Sequence, residues 1–242
     1  MKQKKLLPVI AIVASMGLFL LSCNSGGTKM DSKAVVDTIV AEATIPAPAP
    51  KPENVFIIQH KVANFSKWKP VFDLNDSVQR TFGLINYVLG RGIKDSNWVV
   101  IFLKMADVDK AKAFADSKEL KDKMKKAGVL GIPSFTYLEV VMNDNSTIEQ
   151  TNRLMMMHRV KDWNIWKKEF DDHQSIRMAA GLIDRGVGYS IGDNHMVTIV
   201  QAVTDMKKAN DFLASPDLKE KMAKAGVEGT PTSLFYKIVQ KY

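Results

Sequence analysis

The 242-residue sequence predicts an α+β protein of two tandem β-α-β-β-α-β repeats whose antiparallel sheets face each other within one chain. Three observations carry that expectation. The chain matches itself at an offset of 98 residues from Val55 onward, without a gap and with roughly a third of positions identical. Within each copy, short β-rich runs alternate with segments whose apolar residues recur every three or four positions. The composition is that of an ordinary folded protein, 46% hydrophobic and 25% charged, and its single Cys excludes a disulfide framework or a thiolate metal cluster.

Residues 1–22 read as an export signal. Lys2, Lys4 and Lys5 precede an apolar run from Leu6 to Leu21, slightly short of the about 20 apolar residues that a membrane-spanning helix needs. The run ends in Leu20-Leu21-Ser22-Cys23, which resembles the lipobox of bacterial lipoproteins, where the signal is cut before the Cys and acyl chains such as palmitate are attached. That resemblance implies lipidation of Cys23 and a mature chain anchored to a membrane of the bacterial cell envelope, facing the periplasm or the exterior. Removing three signal lysines lowers the formal net charge from +8 to +5 (8 − 3). On an exported protein this mildly basic surface predicts no nucleic-acid partner. Residues 23–54 then form a tether, flexible at Asn24-Ser25-Gly26-Gly27 and extended through the proline-alternating run Pro46 to Pro52.

The first repeat spans residues 55–142 and the second 153–242, joined by a polar, turn-rich linker over 143–152. Each opens with a β-rich strand, Val55 to Val62 or Leu154 to Val160. Asn64 and Asp162 are placed to cap a helix, whose apolar face carries Trp68 and Phe72, or Trp166 and Phe170, and which ends at Gly83 or Gly181. Two strands follow, turning at Lys94-Asp95-Ser96-Asn97 or Gly192-Asp193-Asn194. Asp107 and Asp205 cap a second helix, and Ser117 and Ser215 start a further turn, with Pro216 at a first helical position that needs no amide. Gly128 and Gly226 are expected as left-handed caps. Strands from Phe135 to Val141 and from Leu234 to Val239 close the repeats.

The aromatic corner after the first strand, the Gly-Leu-Ile entry to the second (Gly83-Leu84-Ile85, Gly181-Leu182-Ile183) and the short extra helix before the fourth resemble the dimeric α+β barrel superfamily. That group includes antibiotic-biosynthesis monooxygenase-like and haem-degrading proteins. The resemblance implies two ferredoxin-like repeats forming an intramolecular dimeric α+β barrel, a pseudo-dimer within one chain.

The candidate ligand-binding residues are His60, His158, His195, Trp98 and Arg185. His60 and His158 are related by the repeat, each on one strand face with apolar neighbours, Phe56 and Ile58 or Leu154 and Met156. A histidine in the sheet cavity would bind a ligand or move a proton near neutral pH; a structural histidine, bonded to a neighbouring helix cap, is the alternative. His195 and Trp98 stand where the other repeat has Asn97 and Met196, a difference that two unequal cavities would produce and that neutral drift at a turn would produce as well. Arg185, opposite Tyr87 in the repeat, is a candidate polar wall residue. The run Met155-Met156-Met157-His158 suggests copper, but alternate strand side chains point to opposite faces, so it cannot form one cluster. No phosphate loop, metal-ligand spacing or nucleophile elbow is present. No cofactor is expected, and no catalytic residue is identified. The function expected is that of a non-catalytic module binding a small apolar ligand or another envelope protein. A cofactor-independent or haem-related monooxygenase working between the sheets is the alternative.

Overall fold

Eight antiparallel strands close into a barrel in the computed structural model, which describes residues 53–242. In the first repeat β1 (Glu53–Val62) leads to α1 (Phe65–Asp73) and α2 (Asp76–Thr81), then β2 (Leu84–Gly92) and β3 (Trp98–Met105). After these come α3 (Val108–Asp116), α4 (Lys118–Lys126) and β4 (Val129–Asn143). The second repeat runs β5 (Asn152–Val160), α5 (Trp163–Asp172), α6 (Gln174–Ala179), β6 (Leu182–Ser190), β7 (Asp193–Val203), α7 (Met206–Leu213), α8 (Pro216–Lys224) and β8 (Val227–Lys241). The strand order is β1-β3-β2-β8-β5-β7-β6-β4, returning to β1.

The local chemistry that starts each helix is as the sequence implies. Asn64, Asp107, Asp162 and Asp205 sit in extended backbone and accept hydrogen bonds from amides in the first helical turn. Ser117 and Ser215 cap α4 and α8 in the same way. Two boundaries differ. The first helix of each repeat breaks in two, at Leu74-Asn75 and at His173. The last strands begin near Val129 and Val227, taking in the positive-φ glycines Gly131 and Gly229.

The two sheets do not simply face each other; they are also joined at their edges. β2 pairs with β8 and β4 with β6, so the barrel has no free edge. β1, β3, β5 and β7 bury both faces over most of their length, whereas β4 and β8 leave many positions exposed. In β1, Phe56 and Ile58 pack outward under the helices with Trp68, Phe72 and Phe114, while Val55 and Ile57 point into the barrel with Val100, Phe102, Met155 and Tyr236. Met155 and Met156 likewise fall in separate clusters, inside and outside.

Glycine decides how closely the halves join. A Cβ at Gly188 would stand 2.2 Å from the Glu139 carbonyl oxygen across the β4–β6 joint, and one at Gly90 would stand 2.3 Å from the Tyr236 ring. At Gly186, one turn of the pleat away, the nearest atom would be at 3.8 Å. Gly188→Ala is therefore expected to destabilise by about 1–3 kcal/mol through overpacking against backbone. Gly186→Ala should be neutral or stabilising by about 0.5 kcal/mol, because it restricts the unfolded chain at no steric cost. Urea unfolding of the two variants checks the contrast; equal effects would mean that the joint is not tight.

Candidate functional site

His60 and His158 lie on the outer faces of β1 and β5, under the helices, and not in the barrel interior. This corrects the expectation of a sheet cavity. The reason is the barrel: with both strand faces apolar, alternation alone cannot say which face turns inward. His60 is 2% exposed and meets Trp68 edge-on, with ring centroids 5.6 Å apart. His158 is 4% exposed and meets Trp166 at 5.5 Å. Neither ring nitrogen of either residue has a hydrogen-bond partner, so the helix-cap alternative is not what holds them. Burial pushes both imidazoles down to about 4. They are neutral at pH 7 and change protonation only well below it.

The chambers beside them are small, about 40 Å³ at His60 and about 70 Å³ at His158. The second holds a charged network. Arg177 forks onto Asp184, with Nε 3.0 Å from Oδ1 and Nη2 2.5 Å from Oδ2, and stacks on Phe170 with its guanidinium carbon 3.5 Å from the ring centroid. Gln201 Nε2 donates to Asp184 Oδ1 at 2.7 Å. The first repeat has Gln79, Asn86 and Leu103 at the equivalent positions. Among the described residues, no group of three or more His, Cys, Asp or Glu side chains is placed to hold a metal ion.

The barrel interior is larger than either chamber. Its cavity is about 290 Å³, walled by apolar side chains including Val55, Val88, Phe102, Leu138, Val200 and Ile238. Arg185 lies at its mouth, 8% exposed. Arg185 Nη1 is 2.6 Å from Asp144 Oδ2, and it also donates to Ser146 in the linker. Tyr87, its counterpart, donates to Asn145 of the same linker at 2.5 Å. The linker thus straps across one end of the barrel, tied at two repeat-related positions. Arg153 and the unpartnered Thr198 hydroxyl also line this cavity.

The five residues singled out from sequence do not form one site. His60 and His158 occupy separate chambers and Arg185 the barrel mouth. Trp98, 36% exposed, stands at the start of β3 opposite Lys61. His195 lies on the exposed end of β7 with Nδ1 2.9 Å from the Val160 carbonyl oxygen. Cys23 lies outside the described residues. Arg153 and Tyr236 are not among the five, although the sequence carries a signal for them: they replace Val55 and Leu138 across the repeat.

No family model and no curated protein matches the chain. Solved structures do. An anthrone oxidase-like protein aligns with a TM-score of 0.53 at 11% identity, over 80% of this chain and 94% of that one. A provisionally assigned monooxygenase from Fusobacterium nucleatum aligns with a TM-score of 0.51 at 11% identity, over 79% and 94%. A second, from Lactobacillus acidophilus, gives 0.50 at 11% identity, over 77% and 94%. At such identities the likeness establishes the fold, a barrel of α+β repeats, and nothing about the reaction.

Proposed function

We propose that the protein is a non-catalytic small-ligand-binding module of the bacterial envelope, anchored through lipid on Cys23, with its ligand in the barrel interior. The observation that carries this reading is the cavity. Ligand sites typically measure about 300–1,000 Å³; the interior approaches that size at about 290 Å³, and the histidine chambers, at 40 and 70 Å³, do not. The larger space of about 710 Å³ between α8 and the start of β8 is a surface groove lined, Met156 apart, by exposed or half-buried residues. Its walls are largely apolar, as a small apolar ligand requires.

The alternative reading, a monooxygenase-like enzyme, draws on what the neighbouring folds are called and on the Arg177–Asp184–Gln201 network near His158. Its two repeat-related histidines, His60 and His158, are held well below neutral pH by burial. Neither chamber fits a haem: both are too small, and the histidine nitrogens are closed off behind tryptophan.

The test is to isolate the full chain from a bacterial membrane fraction and weigh it under native conditions. A co-purifying small molecule that is lost from Gly186→Leu, which fills the cavity from an open position, is the expected result. Cys23→Ser should move the protein out of the membrane fraction. Retention of the small molecule by the filled barrel would sink the interior-site reading, and membrane retention of Cys23→Ser would sink the anchor.

A further inference from the structure

We propose that the barrel interior binds a monoanionic amphiphile, a carboxylate on an apolar body of about ten non-hydrogen atoms, with the Arg153 guanidinium as the anion anchor. This rests on the interior being the ligand site, and it names the ligand's class.

The argument starts from broken symmetry. The first repeat places Val55, Val100 and Leu138 inward; the second places Arg153, Thr198 and Tyr236 at the same positions. The first half shows that apolar residues suffice to build this wall. The polar residues of the second half are therefore not demanded by the fold.

Arg153 is the telling one. It is 3% exposed, and its Nη1 donates to the Gln150 and Asn152 carbonyl oxygens at 2.7 and 3.0 Å. No carboxylate lies within 4 Å of it among the described residues. The other two buried arginines each have one, Arg177 with Asp184 and Arg185 with Asp144. A buried charge without a counter-ion is costly, and natural proteins pair such charges. Carbonyl oxygens leave the charge itself unneutralised, so an anion in the cavity is the missing partner.

The surroundings give the rest of the ligand. Arg153 stands opposite Tyr236 in the β5–β8 register. Burial raises the Tyr236 phenol above its ordinary value, which keeps it a donor at neutral pH. Among the described residues the cavity lining also carries Lys241, beside Arg153 and the Arg185–Asp144 pair. That balance draws anions toward the mouth. Beyond the basic end the walls are valine, leucine, isoleucine and phenylalanine, which favour an apolar body. At about 30 Å³ per water in the liquid, 290 Å³ is the space of roughly ten waters.

The experiment titrates the full chain by calorimetry with octanoate, octan-1-ol, octylammonium and inorganic phosphate. Octanoate should bind at least tenfold more tightly than the alcohol, and octylammonium more weakly than either. Arg153→Val, which installs the first repeat's residue, should bring octanoate down to the alcohol's affinity and leave the alcohol unchanged; Arg153→Lys should restore part of the preference. If Arg153→Val does not fold, Arg153→Met, which keeps most of the length of the side chain and removes its charge, gives the same comparison. Equal binding of octanoate and octanol, both abolished by Gly186→Leu, would keep the interior site and overturn the anion. Phosphate binding as tightly as octanoate would overturn the amphiphile. Absence of binding by all four would overturn the interior site itself.

Discussion

Acidification from pH 7 to pH 4 should remove about 6 kcal/mol of folding stability, about 3 from each of His60 and His158. The sign follows from linkage. Each imidazole has a folded value of about 4 against 6.5 in the unfolded chain. Between those values the unfolded state binds a proton that the folded state refuses. Stability is therefore intact above pH 6.5 and falls as pH drops, by about 1.4 kcal/mol per pH unit for each residue, until loss is complete near pH 4. Against a total of about 5–15 kcal/mol for an ordinary domain, such a loss brings the protein close to unfolding.

The window separates this effect from others. Exposed carboxylates such as Asp107 and Asp193 are held below their ordinary value, by amide hydrogen bonds in the first and mainly by the Arg159 hydrogen bond in the second. Their stabilising contributions are present above pH 4 and are lost only below it. Among the described residues Lys123 is the one charged side chain lining the His60 chamber; Glu169, His173, Arg177, Asp217 and Lys221 line that of His158. His60→Leu and His158→Leu remove the titrating group and keep an apolar side chain of similar size. Each should remove about half of the slope between pH 6.5 and 4, and the double variant most of it. Urea unfolding across pH is the measurement. An unchanged slope in the double variant would place the protons elsewhere.

What the sequence makes legible divides along the barrel wall. Helix starts are local chemistry, an Asx or Ser side chain bonding to amides two or three residues on, and every expected cap from Asn64 to Ser215 is in place. The offset of 98 residues delivered the duplicated topology because turn glycines and capping residues recur at fixed spacing. Which face of β1 points inward was not legible. The run Phe56-Ile57-Ile58 is apolar on both faces, and only closure of the barrel, a contact between residues as distant as Leu89 and Gln240, decides between them. His60 and His158 were consequently assigned to the wrong side of the strand. Arg153 was not legible for a related reason: it differs between the repeats, as His195, Trp98 and Arg185 do, but nothing in the sequence says that its strand face turns inward.

That difference also sets the second large effect. Asp184→Asn should cost about 3 kcal/mol, because it strips the counter-ion from Arg177 at a place where the two side chains are only 8% and 5% exposed. Breaking one side of a buried ion pair leaves an uncompensated charge, and the usual penalty is about 3–5 kcal/mol. The asparagine still offers Oδ1 to Arg177 and Gln201, which puts the expectation at the low end. For a structured region of this size, such a loss lowers the melting temperature by roughly 6–12 °C. The first repeat indicates the remedy, since it carries Gln79 and Asn86 at the positions of Arg177 and Asp184. There both side chains are buried and neutral, and Asn86 Nδ2 donates to Asp76 Oδ1 at 2.9 Å. Converting the second repeat to the same pair, Arg177→Gln with Asp184→Asn, removes both charges together and should return stability to within about 1 kcal/mol of the parent. Each single change leaves one charge buried alone. The double-mutant cycle should therefore show a coupling energy of several kcal/mol, as groups within one network do. Simple additivity of the two losses would mean that Arg177 and Asp184 are each satisfied by other neighbours, and that the bidentate geometry between them is not what stabilises the second repeat.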